Sequence, residues 1–278
     1  MTESFGKRIR NHLSQNDITP FIGVYDVFSA SVAAKFYDSI FISGFGFAAS
    51  YYGLPDIGFI SWSDITSFVQ RVRTILPDHH ILVDIDDGYA DVEVACHVVS
   101  LLESWGASGV IIEDQKRPRR CGHFEGKQLM ELDEFVIKLK RILEARKDMF
   151  VVARTDATEI DDILRRAIAF EQAGADAILV DGINGLDLIK TLRNNVKQPL
   201  VYNQFAGGKS PSYSLDQLSD AGISLVVYST PCLFPAQAAI EEAINSLRKN
   251  NGLLLEKNVG LKECSDLLNE NLKRRDSR

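Results

Sequence analysis

The sequence is poor in cysteine, has no long apolar run and carries no surplus of positive charge. Its four cysteines are far apart among 278 residues and form no Cys-x-x-Cys pair, which predicts a reducing, cytoplasmic compartment without disulfides or structural zinc. No apolar run approaches the roughly 18 residues of a membrane span, and residues 1–17 lack the apolar segment of a signal peptide. The net charge of -7 argues against a nucleic-acid surface. We therefore expect a cytoplasmic protein that binds neither nucleic acid nor a membrane.

What the sequence does contain is a repeating unit, in which a helical pattern ends on a glycine and a short β-branched run follows. Gly106, Gly174 and Gly222 stand at such helix ends, where a left-handed residue is favoured. The runs that follow lack polar alternation, as is typical of parallel strands covered on both faces. We predict eight strands, at 21–24, 40–42, 81–83, 110–112, 150–153, 177–180, 200–202 and 225–228. This pattern predicts an α/β fold, a (β/α)8 TIM-type barrel, with a doubly wound open sheet as the alternative.

Helical periodicity fills the segments between the predicted strands. The clearest helices are predicted at 63–76, 91–103, 134–145 and 158–172, the last with Thr158 as its N-cap. A further helix is predicted at the N-terminus. No change in composition marks a second domain, so we assign residues 1–250 to one catalytic barrel and residues 251–278 to a C-terminal helical extension.

Polar residues follow most of the predicted strands. Ligands of parallel α/β barrels bind at the carboxyl ends of the strands, and these ends carry Tyr25, Asp26, Ser43, Gly44, Asp84, Asp86, Glu113, Arg154, Asp181, Asn203 and Ser229. Some of them could instead be helix caps, a common role of Asp and Ser. The ring as a whole predicts an active site at this end of the barrel.

An acidic group within this ring is suited to a metal ion. Asp84 and Asp86 lie on the same side of a strand end by period-two geometry, whereas Asp87 points elsewhere. Together with Glu113 they form an oxygen-rich site for Mg²⁺ or Mn²⁺, ions that keep several water ligands. Asp56 is a further candidate ligand. The alternative is a solvated turn at Asp87.

The fourth strand runs from Glu113 into a basic loop with four cations at 116–120, which suits an anionic substrate. Cys121 lies beside Arg119, Arg120 and His123, and neighbouring cations lower a thiol pKa. We therefore interpret Cys121 as a catalytic thiol that loses its proton easily. The alternative is a small buried apolar residue.

Two other features of the ring suit anions. A lone arginine in a barrel mouth is costly unless it meets an anion, so Arg154 either pairs with Asp84 or Glu113 or holds a substrate carboxylate. The glycine-rich turn at 41–50 offers backbone N–H groups that could bind a carboxylate or phosphate.

These motifs closely resemble the isocitrate lyase and phosphoenolpyruvate mutase superfamily over roughly residues 20–245. The matching segments are 24–26, 43–46, 53–56, 84–86, 113–115, 121–123, 154–156, 203 and 208–211. The resemblance implies a Mg²⁺ enzyme, with Mn²⁺ as an alternative ion, that binds a 2-oxo or 2-hydroxy dicarboxylate and stabilises an enolate. The Cys-Gly-His loop resembles that of carbon–carbon lyases acting on methylisocitrate, dimethylmalate or 2-alkylmalate, and of oxaloacetate hydrolases.

The resemblance also implies a role for each matching residue. Asp84 would bind the metal most directly, and Asp56, Asp86 and Glu113 would hold its waters. Cys121, on a loop that closes over the site, would protonate the cleaved fragment, with Arg119, His123 and Arg154 as further catalytic residues. The implied substrate-binding residues are Tyr25, Ser43, Gly44, Phe45, Gly122, Asp181 and Asn203.

Four positions depart from the usual lyase pattern. Arg119 replaces a lysine, Asp181 and Ala206 replace glutamates, and Phe41 replaces a frequent tyrosine. These changes suggest a reshaped or less polar pocket. They also keep two alternatives open: carbon–phosphorus chemistry, favoured by the arginine-rich loop, and a non-catalytic homologue that binds a dicarboxylate. The resemblance further implies a dimer or tetramer, in which the C-terminal extension swaps between subunits.

Overall fold

The computed structural model describes residues 3–89, 91–254 and 258–276, and it forms a closed barrel of eight parallel strands in chain order. The strands are β1 (Thr19–Val24), β2 (Ser39–Ile42), β3 (His80–Asp84), β4 (Gly109–Glu113), β5 (Phe150–Thr155), β6 (Ala177–Val180), β7 (Leu200–Gln204) and β8 (Ile223–Tyr228). β1 pairs with β8 and closes the barrel, for example through Phe21 opposite Val227. The predicted TIM-type barrel and all eight predicted strands are confirmed, and the open sheet is excluded. Residues 1–2, 90, 255–257 and 277–278 of the two predicted domains lie outside the described residues.

Helices alternate with the strands. They are α1 (Phe5–Gln15), α2 (Val27–Ala33), α3 (Gly44–Phe47), α4 (Trp62–Ile75), α5 (Val92–Ser104), α6 (Leu132–Ala145), α7 (Ile160–Ala173), α8 (Leu186–Asn195), α9 (Leu215–Asp220), α10 (Leu233–Lys249) and α11 (Leu261–Asp276), with a π-helical turn at Ala48–Tyr52. The glycines predicted to end helices, Gly106, Gly174 and Gly222, have φ values of 83°, 99° and 98°. These left-handed conformations confirm the helix ends.

One predicted helix start is wrong. α7 begins at Ile160, and its N-cap is Glu159 rather than Thr158. The backbone before it is held in an extended course, because Asp156 N–H donates to Asp114 Oδ1 and Ala157 N–H donates to Thr155 Oγ1. Side-chain hydrogen bonds to the loop therefore delay the helix.

Alternate strand residues pack into the barrel and outward against the helices. The inward set includes Phe21, Phe41 and Leu82, and Ile9 of α1 joins it, so that α1 closes the amino end of the barrel. The outward set, for example Ile22 and Val83, packs under the helices. The amino end is therefore filled by apolar side chains, and the polar residues collect at the opposite end.

The two C-terminal helices differ in their packing. Among the described residues, none of α10 is buried. By contrast, α11 contacts α2 and α4, and its buried Asn271 donates to Ser31 Oγ at 2.8 Å. The predicted additional C-terminal helix is thus present. Within the described ranges, no helix combines the length and the apolar character that crossing a membrane requires.

Candidate active site

A small cavity lies at the carboxyl ends of the strands. Its volume is about 30 Å³, and it is lined by Ser43, Phe45, Asp56, Asp84, Cys121, Gly122, His123, Arg154, Asp181, Asn203, Phe205, Ser229 and Thr230. Such a volume holds no more than a few water molecules. The loop of residues 114–131 between β4 and α6, here called the lid, contributes Cys121, Gly122 and His123 to the wall. Six members of the predicted ring meet at this cavity, which the lid covers: Ser43, Asp84, Arg154, Asp181, Asn203 and Ser229.

The predicted acidic group is assembled on one side of this cavity. Asp84 ends β3 and Glu113 ends β4, while Asp86 follows β3 in a left-handed conformation with φ of 52°. A Cβ atom built on Gly44 would lie 3.0 Å from Asp84 Oδ2 and 3.3 Å from Asp86 Oδ1. The absence of a side chain at Gly44 therefore keeps both carboxylates accessible from the second strand.

Some oxygens of these buried carboxylates lack hydrogen-bond donors, although Arg119 and Arg154 lie within ion-pair distance. Burial raises the pKa of Asp84 and Asp86, and raises that of Glu113 to about 7. Neither oxygen of Asp86, nor Glu113 Oε2, accepts a hydrogen bond from the described residues. Desolvated carboxylate oxygens without donors are a setting that a cation stabilises.

The donor set fits a divalent metal held largely through water. Across the described residues, no three His, Cys, Asp or Glu side chains are arranged to hold one ion directly. Mg²⁺ commonly binds through one or two carboxylates and keeps its remaining waters. Asp84 as the direct ligand, with Asp86 and Glu113 accepting from bound waters, is consistent with this geometry.

Arg119 enters the acidic group from the lid, which was not foreseen. Its side chain is 2% exposed and pairs with Asp56, with Asp86 Oδ1 at 3.2 Å and with Glu113 Oε1 at 2.9 Å. Arg117 pairs with the buried Asp87 at 2.8 Å. The interpretation of the basic loop as a site for an anionic substrate is therefore wrong for these two arginines, because each binds carboxylates of its own chain.

Cys121 also differs from its predicted state. Its thiol lines the cavity, but burial raises its pKa to about 11, and the favourable effects of the His123 backbone and Arg154 are smaller. The prediction of a lowered pKa is wrong, because the neighbouring cation Arg119 is committed to carboxylates while the thiol itself is desolvated. A protonated thiol is suited to donate a proton.

A chain of hydrogen bonds lines another part of the cavity wall. The backbone N–H of Lys209 donates to His123 Nδ1 at 2.9 Å, so the imidazole proton lies on Nε2, 3.3 Å from Asp181 Oδ1. Asn203 Nδ2 donates to the same Asp181 oxygen at 2.9 Å, and Ser229 Oγ donates to Asn203 Oδ1 at 2.6 Å. This chain fixes the orientation of four side chains: His123, Asp181, Asn203 and Ser229.

Arg154 links the two sides of the cavity. Its Nη2 lies 3.3 Å from Glu113, 3.0 Å from Asp156 and 2.8 Å from Asp181. Burial alone would raise the pKa of Asp181, but Arg154 and the hydrogen bonds from His123 and Asn203 lower it below its usual range. Of the partners expected for Arg154, Glu113 is present, and Asp181 is bound as a stable carboxylate.

The remaining predicted substrate-binding residues are divided. Phe45 and Ser43 line the cavity, although Ser43 Oγ also accepts from Gly46 N–H and caps α3. Tyr25 instead lines a neighbouring cavity of about 200 Å³. Ala206 is exposed, and the apolar side chain that reaches the central cavity from this loop is Phe205. Ala206 therefore does not contribute to the wall of the cavity. Phe41, another departure from the usual pattern, lies in the barrel interior.

Sequence reasoning missed the residues that hold the lid down. Gln115 Nε2 donates to Arg120 O at 2.8 Å and to Asp156 Oδ2 at 2.8 Å, while its Oε1 accepts from Arg120 N–H at 3.0 Å. Lys127 pairs with Asp156 at 3.7 Å and bonds to Gly122 O. Two signals were available: Gln115 and Asp156 lie within two residues of strand ends, and both belong to segments that resemble the superfamily, although no role was assigned to either.

Comparisons with known proteins agree with this geometry. A family model described as phosphoenolpyruvate phosphomutase matches residues 9–248. The chain is 32% identical over 254 residues to 2-methylisocitrate lyase of Bacillus subtilis (strain 168), covering 89% of this chain and 83% of the relative. It is 29% identical over 252 residues to the chloroplastic carboxyvinyl-carboxyphosphonate phosphorylmutase of Arabidopsis thaliana, covering 87% and 74%.

A solved structure of 2,3-dimethylmalate lyase superposes with a TM-score of 0.92 at 27% identity, covering 98% of this chain and 95% of that one. Family model, sequence relatives and structural neighbour all point in the same direction. The chain therefore belongs to the phosphoenolpyruvate phosphomutase family, and it is an enzyme of the isocitrate lyase and phosphoenolpyruvate mutase superfamily.

Proposed function

We propose that the protein is a Mg²⁺-dependent carbon–carbon lyase, or a hydrolase of the same kind, acting on a small 2-hydroxy or 2-oxo dicarboxylate. The observation that carries the proposal is the placement of the Cys121 thiol and the Asp84 carboxylate on the wall of one cavity. A proton donor and a cation-binding group facing the same small space suit the cleavage of a bond beside an oxygen-bearing carbon. The names of the relatives, which include methylisocitrate and dimethylmalate lyases, support this class of substrate.

The acidic group would hold the cation. Asp84 would bind it directly, and Asp86, Glu113 and Asp56 would accept from its waters; Mn²⁺ would be an alternative ion. A bound divalent cation would supply positive charge to the carboxylate and adjacent oxygen of the substrate. The raised pKa of Asp86 and of Glu113 supports this role, because both groups gain from a nearby cation.

The other residues would bind substrate and manage its proton. Arg154 and Asn203 would orient the carboxylates, Ser43, Gly44 and Phe45 would bound the site on the β2 side, and the lid would exclude water. For a 2-hydroxy substrate, a carboxylate of the acidic group would take the hydroxyl proton, so that the oxygen forms a carbonyl as the carbon–carbon bond breaks. The electron pair of that bond would stay on the departing carbon, and Cys121 Sγ–H would transfer its proton to that carbon. A thiol with pKa of about 11 holds that proton until the carbanion forms.

The test is turnover of a panel of 2-alkylmalates, methylisocitrate and oxaloacetate, with and without EDTA. We expect activity on at least one substrate, loss of it with EDTA, and strong loss in Cys121→Ser. Cys264→Ser is the matched control, since Cys264 lies on α11, away from the cavity. Turnover that survives both EDTA and Cys121→Ser would refute the proposal.

Carbon–phosphorus chemistry is the second candidate. It is supported by the 29% identity to a carboxyvinyl-carboxyphosphonate phosphorylmutase. The arginine-rich lid no longer supports it, because Arg117 and Arg119 are bound to carboxylates of this chain. Phosphorus NMR on phosphonopyruvate and phosphoenolpyruvate distinguishes the two candidates, since unchanged spectra would exclude phosphonate chemistry on these two compounds.

We also propose that the enzyme works as a homo-oligomer, a dimer or tetramer. α10 presents Ile240, Ile244 and Leu247 with 58%, 61% and 37% of their surfaces exposed. An apolar helix face of this length is costly in water and is typical of a subunit contact. α11 lies against its own chain, so α10 is the better candidate for the exchanged helix than the C-terminal extension alone.

A further inference from the structure

Arg119 is a buried cation that the lid delivers into the acidic group. Its guanidinium contacts carboxylates from three separate segments: Asp56 before α4, Asp86 after β3 and Glu113 at the end of β4. Each of these side chains is 7% exposed or less. An ion cluster of this kind holds the lid to the barrel far more firmly than surface contacts would, because water does not screen it.

The same three carboxylates are those that the proposed metal site would use for bound waters, so the inference rests on the proposed function. We propose that Arg119 and the divalent cation compete for these carboxylates. In the metal-free enzyme Arg119 locks the lid shut, and metal binding releases it. The lid then opens to admit an anionic substrate. The negative charge of the substrate offsets the positive charges of the metal and Arg119, which lets the lid close again.

Charge and distance support competition. Asp56, Asp84, Asp86 and Glu113 lie together under the lid, and Arg119 Nε is 2.9 Å from a Glu113 oxygen. A dication at Asp84 would lie close to the guanidinium, with little solvent between like charges. This coupling is reciprocal. If Arg119 lowers the affinity for the metal, the bound metal lowers the stability of the closed lid by the same free energy.

The structure also defines the opposite outcome, in which Arg119 and the metal bind to the carboxylates at the same time. Asp86 Oδ2 and Glu113 Oε2 accept no hydrogen bond from the described residues. If metal-bound waters used only these oxygens, Arg119 and the metal would bind side by side, and Arg119 would leave the metal affinity unchanged or increase it. The sign of the effect of Arg119 on metal affinity therefore decides between the two arrangements.

The first measurement is Mn²⁺ binding to the full-length enzyme without substrate, followed by electron paramagnetic resonance. Competition predicts that Arg119→Gln binds Mn²⁺ about tenfold more tightly, or better, while Arg119→Lys stays closer to the wild type. Arg120→Gln is the matched control, because Arg120 is exposed on the same loop. Equal or weaker binding by Arg119→Gln would overturn the inference.

The second measurement is the rate at which iodoacetamide labels Cys121, read by mass spectrometry of the Cys121 peptide. We expect slow labelling of the metal-free enzyme, faster labelling with Mn²⁺, and fast labelling of Arg119→Gln in both states. Labelling that Mn²⁺ leaves unchanged or slows would contradict release of the lid. Circular dichroism of each variant verifies that the barrel is folded.

Asp84→Asn separates this inference from the proposed function. If the wild type binds Mn²⁺ and Asp84→Asn does not, the metal site stands, and only the Arg119 results decide the competition. If neither protein binds Mn²⁺, the metal-dependent function and the competition both fail.

Discussion

At the scale of single residues, burial changes the chemistry that the sequence suggests. Cys121 is surrounded by cations in the sequence, yet its pKa is raised to about 11 from an ordinary value of 9.0. We predict that its acid form persists as the pH rises and is lost only near pH 11. Ultraviolet titration of the thiolate, as the difference between the wild type and Cys121→Ser, measures this directly.

The same titration has a kinetic counterpart. The turnover number should show no alkaline decline that belongs to Cys121 below about pH 10. A thiolate that appears at or below pH 9 would show that the lid leaves the thiol in water, contrary to the structure.

His80 gives a prediction about stability. Burial lowers its pKa to about 4, with His12, Arg8 and Arg73 contributing in the same direction. As the pH falls, the unfolded chain therefore binds a proton before the folded one does, and stability is lost between about pH 6.5 and pH 4, by up to roughly 3 kcal/mol. Urea unfolding of His80→Leu should show a weaker pH dependence than the wild type in this window.

The exposed His97 provides the control for this experiment. His97→Gln should retain the pH dependence of the wild type. An equal slope in His80→Leu and the wild type would assign the acid sensitivity to other groups.

Some residues of the site could be predicted from nearby sequence patterns, whereas others could not. Asp84, Glu113 and Arg154 could be predicted, because each lies at the carboxyl end of a recognisable strand and these ends meet at one edge. The partners of Arg119 could not, since Asp56, Asp86 and Glu113 converge on it only after the lid folds back over the barrel. The sequence thus predicts where the charged residues of the strand ends lie. Their ion pairs with Arg119 depend on the closed position of the lid.

At the scale of elements, the lid is held by backbone hydrogen bonds at its base and by the side chain of Gln115. Lys116 N–H donates to Gln128 O at 2.7 Å and Met130 N–H donates to Asp114 O at 2.8 Å, which fixes its base. Gln115 then fixes Arg120 through both backbone groups. The lid is therefore supported at its base and again just before Cys121.

We predict that Gln115→Ala loosens the lid without disrupting the barrel. It removes three hydrogen bonds of one buried side chain, which should lower the unfolding free energy by about 1–3 kcal/mol. The turnover number should fall roughly tenfold or more, since Cys121 loses its position. Hydrogen exchange of the lid amides should rise.

Gln128→Ala is the matched control, because the exposed Gln128 contributes only its backbone to the lid base. It should leave exchange and turnover close to the wild type. Equal effects of the two changes would show that Gln115 is not a specific support.

Elements with local signals were predictable, and those set by loop contacts were not. The strands followed from apolar runs, and the helix ends followed from Gly106, Gly174 and Gly222. The start of α7 did not, because the polar contacts of Asp156 and Ala157 override the capping preference of Thr158.

At the scale of the whole molecule, α10 presents an exposed apolar face. We predict that the double change Ile240→Lys and Ile244→Lys shifts the protein toward smaller species in sedimentation velocity, since two charges on an apolar contact are costly. Glu242→Lys, on the same helix and exposed, is the control for added charge. A monomeric wild type, or an unchanged distribution in the double variant, would contradict the proposed contact.

The small cavity also constrains how fast the enzyme meets its substrate. A space of about 30 Å³ cannot admit a dicarboxylate while the lid covers it. A substrate that reaches the protein by diffusion then binds only when the lid is open. The association rate constant is therefore the diffusional limit multiplied by the fraction of time that the lid is open. We therefore expect opening of the lid to limit substrate capture, so that a viscous solute such as sucrose slows capture less than it slows diffusion.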